Sequence, residues 1–149
     1  MQMPITTDTV AVADALRPVL LRVGRELRRE ARAVGISPEQ VSLLVGIKYA
    51  PGAGIRDLAA RERISAPALT KHVDRLERDG LVVRTPSTDD GRRVSIELTE
   101  EGRRVLRRVR SRRTAWLATR LRTLDADELA AVEAAIAPLS RLLKEDENH

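Results

Sequence analysis

Between Asp8 and about Ala33, apolar residues recur at helical spacing. Val12, Leu16, Val19, Leu20, Val23 and Leu27 share one face, and Arg22, Arg25, Arg29 and Arg32 fall largely on the other. A long amphipathic helix is predicted there. Pro18 lacks an N–H and clashes with the carbonyl four residues back, at Asp14, so a kink near Ala15–Arg17 or a restart at Pro18 is expected. Gly35 followed by apolar Ile36 closes the helix. A second helix opens with Ser37 as N-cap, Pro38 in the first position and Gln40 completing a capping box. Its buried face is predicted to be Val41, Leu44, Val45 and Ile47, and it stops before the turn Pro51-Gly52-Ala53-Gly54.

The pattern then shortens. Ile55–Glu62 predicts a brief helix with Ile55, Leu58 and Ala59 inward, and Arg63-Ile64-Ser65 turns the chain about the apolar Ile64. Ser65 caps a helix over Ala66–Asp79, with Leu69, Val73 and Leu76 inward and Thr70, Lys71, Asp74, Arg75 and Arg78 outward. Gly80-Leu81 ends it as a Schellman motif would. Val82–Thr85 reads as a strand. Val94, Ile96 and Leu98 alternate with Arg93, Ser95 and Glu97 in a second, half-buried strand, and Asp90-Gly91 marks the turn between them. A two-stranded hairpin is not stable alone, so it must lean on the helices. This order of elements over Ile55–Gly102 is that of a winged helix-turn-helix, which places one helix in the major groove of DNA.

Thr99 caps a long helix from about Glu100 to Arg122, with Leu106, Val109, Trp116, Leu117 and Leu121 as its stripe. Asp125 and Glu128 form a second capping box, opening a last helix over Ala126–Leu143. Leu129, Val132, Ile136, Leu139 and Leu143 form its stripe, and Pro138 is expected to bend it.

Composition narrows the chemistry. With 42 % hydrophobic and 33 % charged residues over 149 positions, the chain can bury a core and stay in solution. Tyr49 and Trp116 are its only aromatics, so the core must be aliphatic. No cysteine is present, which excludes disulfides and thiol chemistry within this sequence, and only His72 and His149 are available as imidazole ligands. No cofactor and no metal site are expected. No phosphate-binding glycine loop, nucleophile elbow or paired carboxylates beside a histidine occurs, so no catalytic residues are assigned and an enzyme is not expected. No apolar run approaches the ~18 residues needed to span a bilayer, and the N-terminal residues lack a signal-peptide pattern. A cytoplasmic protein without a membrane partner is expected. The net charge of +5 is unevenly spread: residues 54–113 carry 16 basic and 10 acidic groups, whereas residues 114–149 carry 4 and 7. The positive charge thus coincides with the proposed DNA-reading segment.

The ordered motifs carry a family resemblance. Leu58-Ala59, Ile64-Ser65, Val73-Asp74-Arg75-Leu76-Glu77, Gly80-Leu81-Val82, Asp89-Asp90-Gly91-Arg92-Arg93 and Leu98-Thr99-Glu100-Glu101-Gly102 follow one another at the spacing of MarR-type transcriptional regulators. The chain resembles that family over essentially its whole length. The resemblance implies a mainly α fold with a small two-stranded β wing. Residues 1–149 would form a single MarR-like domain: a winged helix-turn-helix lobe over 37–99 and dimerisation helices over 8–34 and 100–144. It further implies a homodimer on a pseudo-palindromic double-stranded operator, acting as a repressor released by a small, aromatic or anionic effector. Arg63 departs from the glycine often found in such turns. A left-handed conformation there would cost roughly 1–2 kcal/mol.

DNA-reading residues follow from the motif. Ser65 and Pro67 are small enough for the helix N-terminus to approach base edges, and Thr70 offers a hydroxyl and a methyl. Lys71 and Arg75, four apart, share a face that can reach a guanine or a phosphate; alternatively they and Arg78 solvate that face and pair with Asp74, Glu77 and Asp79. Arg92 at the narrow hairpin tip suits a minor groove, with Arg93 the alternative reader, and by resemblance Asp90 braces the wing arginine. Seven arginines between 103 and 113, with no acid among them, either touch phosphates, pair with carboxylates or solvate their helix. Arg17, to meet an anion, and Tyr49 and Trp116, to stack on a ring, are the effector-site candidates. A non-specific architectural DNA-binding protein is the alternative reading.

Overall fold

The computed structural model describes residues 8–86 and 94–144. The elements are α1 (Thr9–Ala33), α2 (Pro38–Tyr49), α3 (Ile55–Glu62), α4 (Ala66–Arg78), β1 (Val82–Pro86), β2 (Val94–Leu98), α5 (Glu100–Leu121) and α6 (Ala126–Lys144). They fall into two compact units, Met1–Arg113 and Thr114–His149, with the boundary inside α5.

Helix α1 starts where Asp8 accepts a hydrogen bond from the Val10 N–H at 3.0 Å. It runs through Pro18 as one helix, so it does not restart there. Position 18 is interior to α1, so the helix continues past one missing backbone donor, the one that would have met Asp14 O. Helix α2 carries the predicted capping box in full. Ser37 Oγ accepts from Gln40 N, and Gln40 Oε1 accepts from Ser37 N, both at 3.2 Å. Val41, Leu44 and Ile47 are buried as expected, but Val45 is not; Leu43 is buried instead. Helix α2 is enclosed on more than one side, and 3.6-residue periodicity cannot choose the buried face of such a helix.

The first unit has one aliphatic core. Leu43, Leu44, Leu58, Leu69, Val73, Leu76, Val82, Ile96 and Val109 are almost wholly removed from solvent. Each such side chain contributes roughly 1.5–3 kcal/mol on burial, so the core rather than propensity holds the short α3 in place. Strands β1 and β2 are antiparallel, with Val82 opposite Leu98 and Arg84 opposite Ile96. The hairpin leans on the helices as predicted: Ile96 N donates to Ala53 O at 3.1 Å, tying β2 to the loop before α3. The alternation along β2 departs from expectation at one end. Val94 is exposed and Ser95 is buried, its Oγ lying 2.8 Å from Thr85 Oγ1. A paired hydroxyl tolerates burial, which the hydropathy pattern does not register.

Two joints fix the reading helix. Its N-terminal end follows Arg63, which adopts φ 56° and ψ 42°, the left-handed conformation that the sequence made costly. There Ile64 N donates to Ala59 O at 3.1 Å. Ile64 lines a cavity rather than being buried as the pin of the turn. At the other end Gly80, with φ 75°, forms the predicted Schellman closure: Leu81 N donates to Leu76 O at 2.9 Å and Gly80 N to Glu77 O at 3.0 Å. Thr99 locks this closure to α5, donating from Oγ1 to Gly80 O at 2.6 Å and accepting from Gly102 N at 3.0 Å. Gly102 lies against the Leu81 carbonyl, and a Cβ there would be 2.2 Å from that oxygen.

In the second unit, Asp125 and Glu128 form the capping box of α6, at 3.1 and 2.8 Å. None of α6 is buried, although Leu129, Val132, Ile136, Leu142 and Leu143 line it.

Candidate nucleic-acid interface

Helix α4 is amphipathic by construction. Leu69, Val73 and Leu76 are wholly buried, which turns the opposite face to solvent. Ser65 Oγ caps the helix by accepting from Ala68 N at 3.2 Å. Ser65, Pro67, Lys71, Arg75 and Arg78 are exposed. Thr70 is half-buried and its hydroxyl donates to Ala66 O at 2.9 Å, so its oxygen is left to act as an acceptor.

Two of the three carboxylates that might neutralise this face, Asp74 and Glu77, are engaged elsewhere. Arg84 of β1 donates from Nη2 to Asp74 at 2.7 Å and from Nη1 to Glu77 at 2.6 Å. The hydrogen bond to Asp74, joined by the Glu77 charge, raises the Arg84 pKa against a smaller opposing effect of burial. Among the described residues, Lys71, Arg75 and Arg78 make no ion pair. Pairing of these three with Asp74 and Glu77, one of the two sequence readings, is therefore absent. Arg84 was missed in the sequence. Its signal was a cation within β1, half-buried there, with two acids three apart on the outer face of the preceding helix.

Asp90, Arg92 and Arg93, the wing-tip assignments, lie outside the described residues. The arginines of α5 divide into groups. Arg104 pairs with Glu101 at 2.7 Å, Arg107 with Glu100 at 3.3 Å and Arg112 with Glu30 of α1 at 3.0 Å. Arg113 is partly buried and donates from Nε to Leu27 O at 3.0 Å. Burial and then the charge of Arg28 lower its pKa.

Two cavities flank α2 in the first unit. One, of about 540 Å³, is bounded by α1, α2, α3, α4 and α5, and its wall includes Arg28, Glu39, Glu62, His72 and Arg113. The other, of about 510 Å³, lies between α2 and α5 and takes in Tyr49. Of the three effector-site candidates only Tyr49 lines either cavity. Arg17 pairs with Asp14 at 2.9 Å, and Trp116 stacks with Arg120, 5.3 Å from its ring centre. No described helix is long and apolar enough to cross a membrane.

A short helix, a turn, a capped helix with a cationic outer face and an antiparallel wing define a winged helix-turn-helix DNA-binding lobe. A MarR family model matches residues 36–94. An HTH-type transcriptional regulator of Mycobacterium tuberculosis is 32 % identical over 138 residues, 90 % of this chain and 94 % of that protein. The HTH-type transcriptional repressor MdtR of Bacillus subtilis is 27 % identical over 133 residues, 89 % of this chain and 86 % of that one. Among solved structures, a transcriptional regulator protein of Pseudomonas aeruginosa is 34 % identical and superposes with a TM-score of 0.79 over 92 % of this chain and 96 % of its own. The chain belongs to the MarR family. It is a DNA-binding transcriptional regulator, not an enzyme.

Proposed function

We propose that the protein is a homodimeric, sequence-specific repressor of the cytoplasm that binds a pseudo-palindromic operator and is released by a small ligand. Residues 37–99 form the reading lobe, and 8–34 with 100–144 the dimerisation helices. The observation that carries this reading is an imbalance of surfaces. The reading lobe is packed, yet the flanking helices leave large apolar side chains in water: Val10 is 70 % exposed on α1 and Leu143 71 % on α6. Such stripes are expected where a second copy covers them. The cations of α4 are left clear of carboxylates, which supports direct contact with DNA by Lys71 and Arg75, aided by Ser65, Pro67 and Thr70. Arg92 or Arg93 would serve as wing reader and Asp90 as its brace. Repression is supported by the name of the Bacillus subtilis relative.

Selection of bound sites from a random duplex pool tests this reading. Two inverted half-sites with centres about one helical turn, or a multiple, apart are expected. Recovery of a single half-site or of no common sequence would contradict it.

A further inference from the structure

Among the described residues, Arg63 is the only non-glycine residue with a positive φ. Its backbone serves the turn. With φ 56° and ψ 42° it closes α3, Arg63 N donating to Ala60 O at 3.3 Å and Ile64 N to Ala59 O at 3.1 Å. Glycine would make the same bonds without strain, because it has no Cβ to crowd the following carbonyl. The arginine side chain therefore burdens the turn without helping to form it. Nor is it engaged inside the chain: it is exposed, and among the described residues it makes no ion pair and no side-chain hydrogen bond. The adjacent carboxylate is occupied. Glu62 is half-buried and accepts from Ser42 Oγ of α2 at 2.8 Å, which leaves exposed Arg61 and Arg63 as unpaired cations on either side of it. A costly backbone conformation that carries a free charged side chain is characteristic of binding positions. Two residues further on, Ser65 caps α4, and the N-terminal end of a reading helix is the part that approaches base edges. Strand phosphates border the groove that such a helix enters, so a residue just before the cap stands at the groove's edge.

We propose that Arg63 is a phosphate-binding residue of the DNA interface. Its guanidinium donates to a backbone phosphate beside the N-terminal end of α4 and fixes how that helix seats in the groove. Arginine suits the task because its planar fork offers two parallel N–H donors to one phosphate, whereas the unstrained glycine offers no side chain at all. Position 63 is thereby given to binding at the expense of folding. The inference rests on the reading of α4 as the helix that enters the groove.

Salt-dependent duplex titrations of the parent, R63G, R63K and K71A, with thermal unfolding of each, test this. R63G should unfold at a higher temperature than the parent. It should nevertheless bind the selected operator and a scrambled duplex about tenfold more weakly, as for loss of one charge-assisted hydrogen bond. Its slope of log K against log salt should fall by about one unit. The ratio of its two affinities should stay that of the parent, because phosphate contacts carry no sequence information. R63K should keep the slope and lose only part of the affinity. Parent-like affinity and slope in R63G would overturn the proposal. So would a changed operator-to-scrambled ratio, which would make Arg63 a base contact. Lower stability with parent-like binding would also overturn it and reduce Arg63 to a cation at the negative end of the α3 dipole. K71A separates these failures from failure of the α4 reading. If K71A loses affinity and R63G does not, the Arg63 assignment alone falls; if neither loses affinity, α4 is not the reading helix and both fall.

Discussion

Arg84 on the wing strand β1 donates to Asp74 on the recognition helix α4 at 2.7 Å, and its other terminal nitrogen reaches Glu77 at 2.6 Å. One guanidinium thereby joins the two DNA-facing elements and occupies the acids that would otherwise face Lys71, Arg75 and Arg78. In R84Q both acids are released, and Asp74 lies within helical reach of Lys71 and Arg78. Exposed pairs are individually weak, so the stability lost should be only about 1 kcal/mol. The larger effect is predicted in DNA binding. R84Q should lower affinity and reduce the slope of log K against log salt by up to about one unit for each cation withdrawn. Denaturation and salt-dependent duplex titrations measure the two separately. An unchanged slope would mean that the clamp does not keep those cations available.

The left-handed Arg63 stores local strain. R63G should raise stability by about 1 kcal/mol, the relief of αL strain less the added freedom of the unfolded glycine. That corresponds to a rise in Tm of about 2–4 °C for a chain of this size. R63V should lower it. Thermal unfolding followed by circular dichroism checks both, and a stable valine variant would indicate that the turn has another accessible geometry.

Gly102 allows α5 to begin against the recognition helix's closing turn. In G102A the new methyl would meet the Leu81 carbonyl, whose position is fixed by Thr99 N at 3.0 Å. A loss of about 1–3 kcal/mol is predicted from overpacking. Chemical denaturation gives the value. Full stability would show that α5 can shift without cost.

The DNA contacts divide by expected signature. K71A should cost about 1–3 kcal/mol and relax preference at one base position if Lys71 reads a guanine, or weaken all sequences alike if it meets a phosphate. R92A should weaken operator binding and lower the salt slope by up to about one unit. Titrations against the selected operator and its single-base variants distinguish these, and unchanged affinity in R92A would leave Arg93 as the wing reader.

Much of this fold was legible because its signals are local. Ser37-Pro38-Gln40, Ser65, Gly80-Leu81 and Asp125-Glu128 mark helix ends through bonds spanning a few residues, and each cap is present as written. What the sequence hid is long-range or face-dependent. Arg84 meets partners 7 and 10 residues away, across an element boundary. Val45 and Leu43 exchange roles because α2 is enclosed on more than one side. Ser95 is buried because Thr85, on the other strand, satisfies its hydroxyl. Among the site candidates, the α4 residues were legible from amphipathicity. Arg17 and Trp116 were chosen by residue type alone, and each has a neighbour on its own helix, Asp14 and Arg120, that engages it.

Dimerisation is predicted to depend on the uncovered stripe of α6. L143E should leave the monomer fold intact while shifting light scattering toward the monomer at micromolar concentration, since a buried charge at an apolar interface is costly. A dimer as tight as the parent's would place the interface elsewhere.

The central claim is that the α4 surface reads sequence rather than charge alone. Competition at one fixed salt concentration between the selected operator and a scrambled duplex of the same length and composition tests it most directly. The account predicts a preference of about a thousandfold or more for the operator. Equal affinity for the two duplexes would contradict it and leave a non-specific DNA-binding protein.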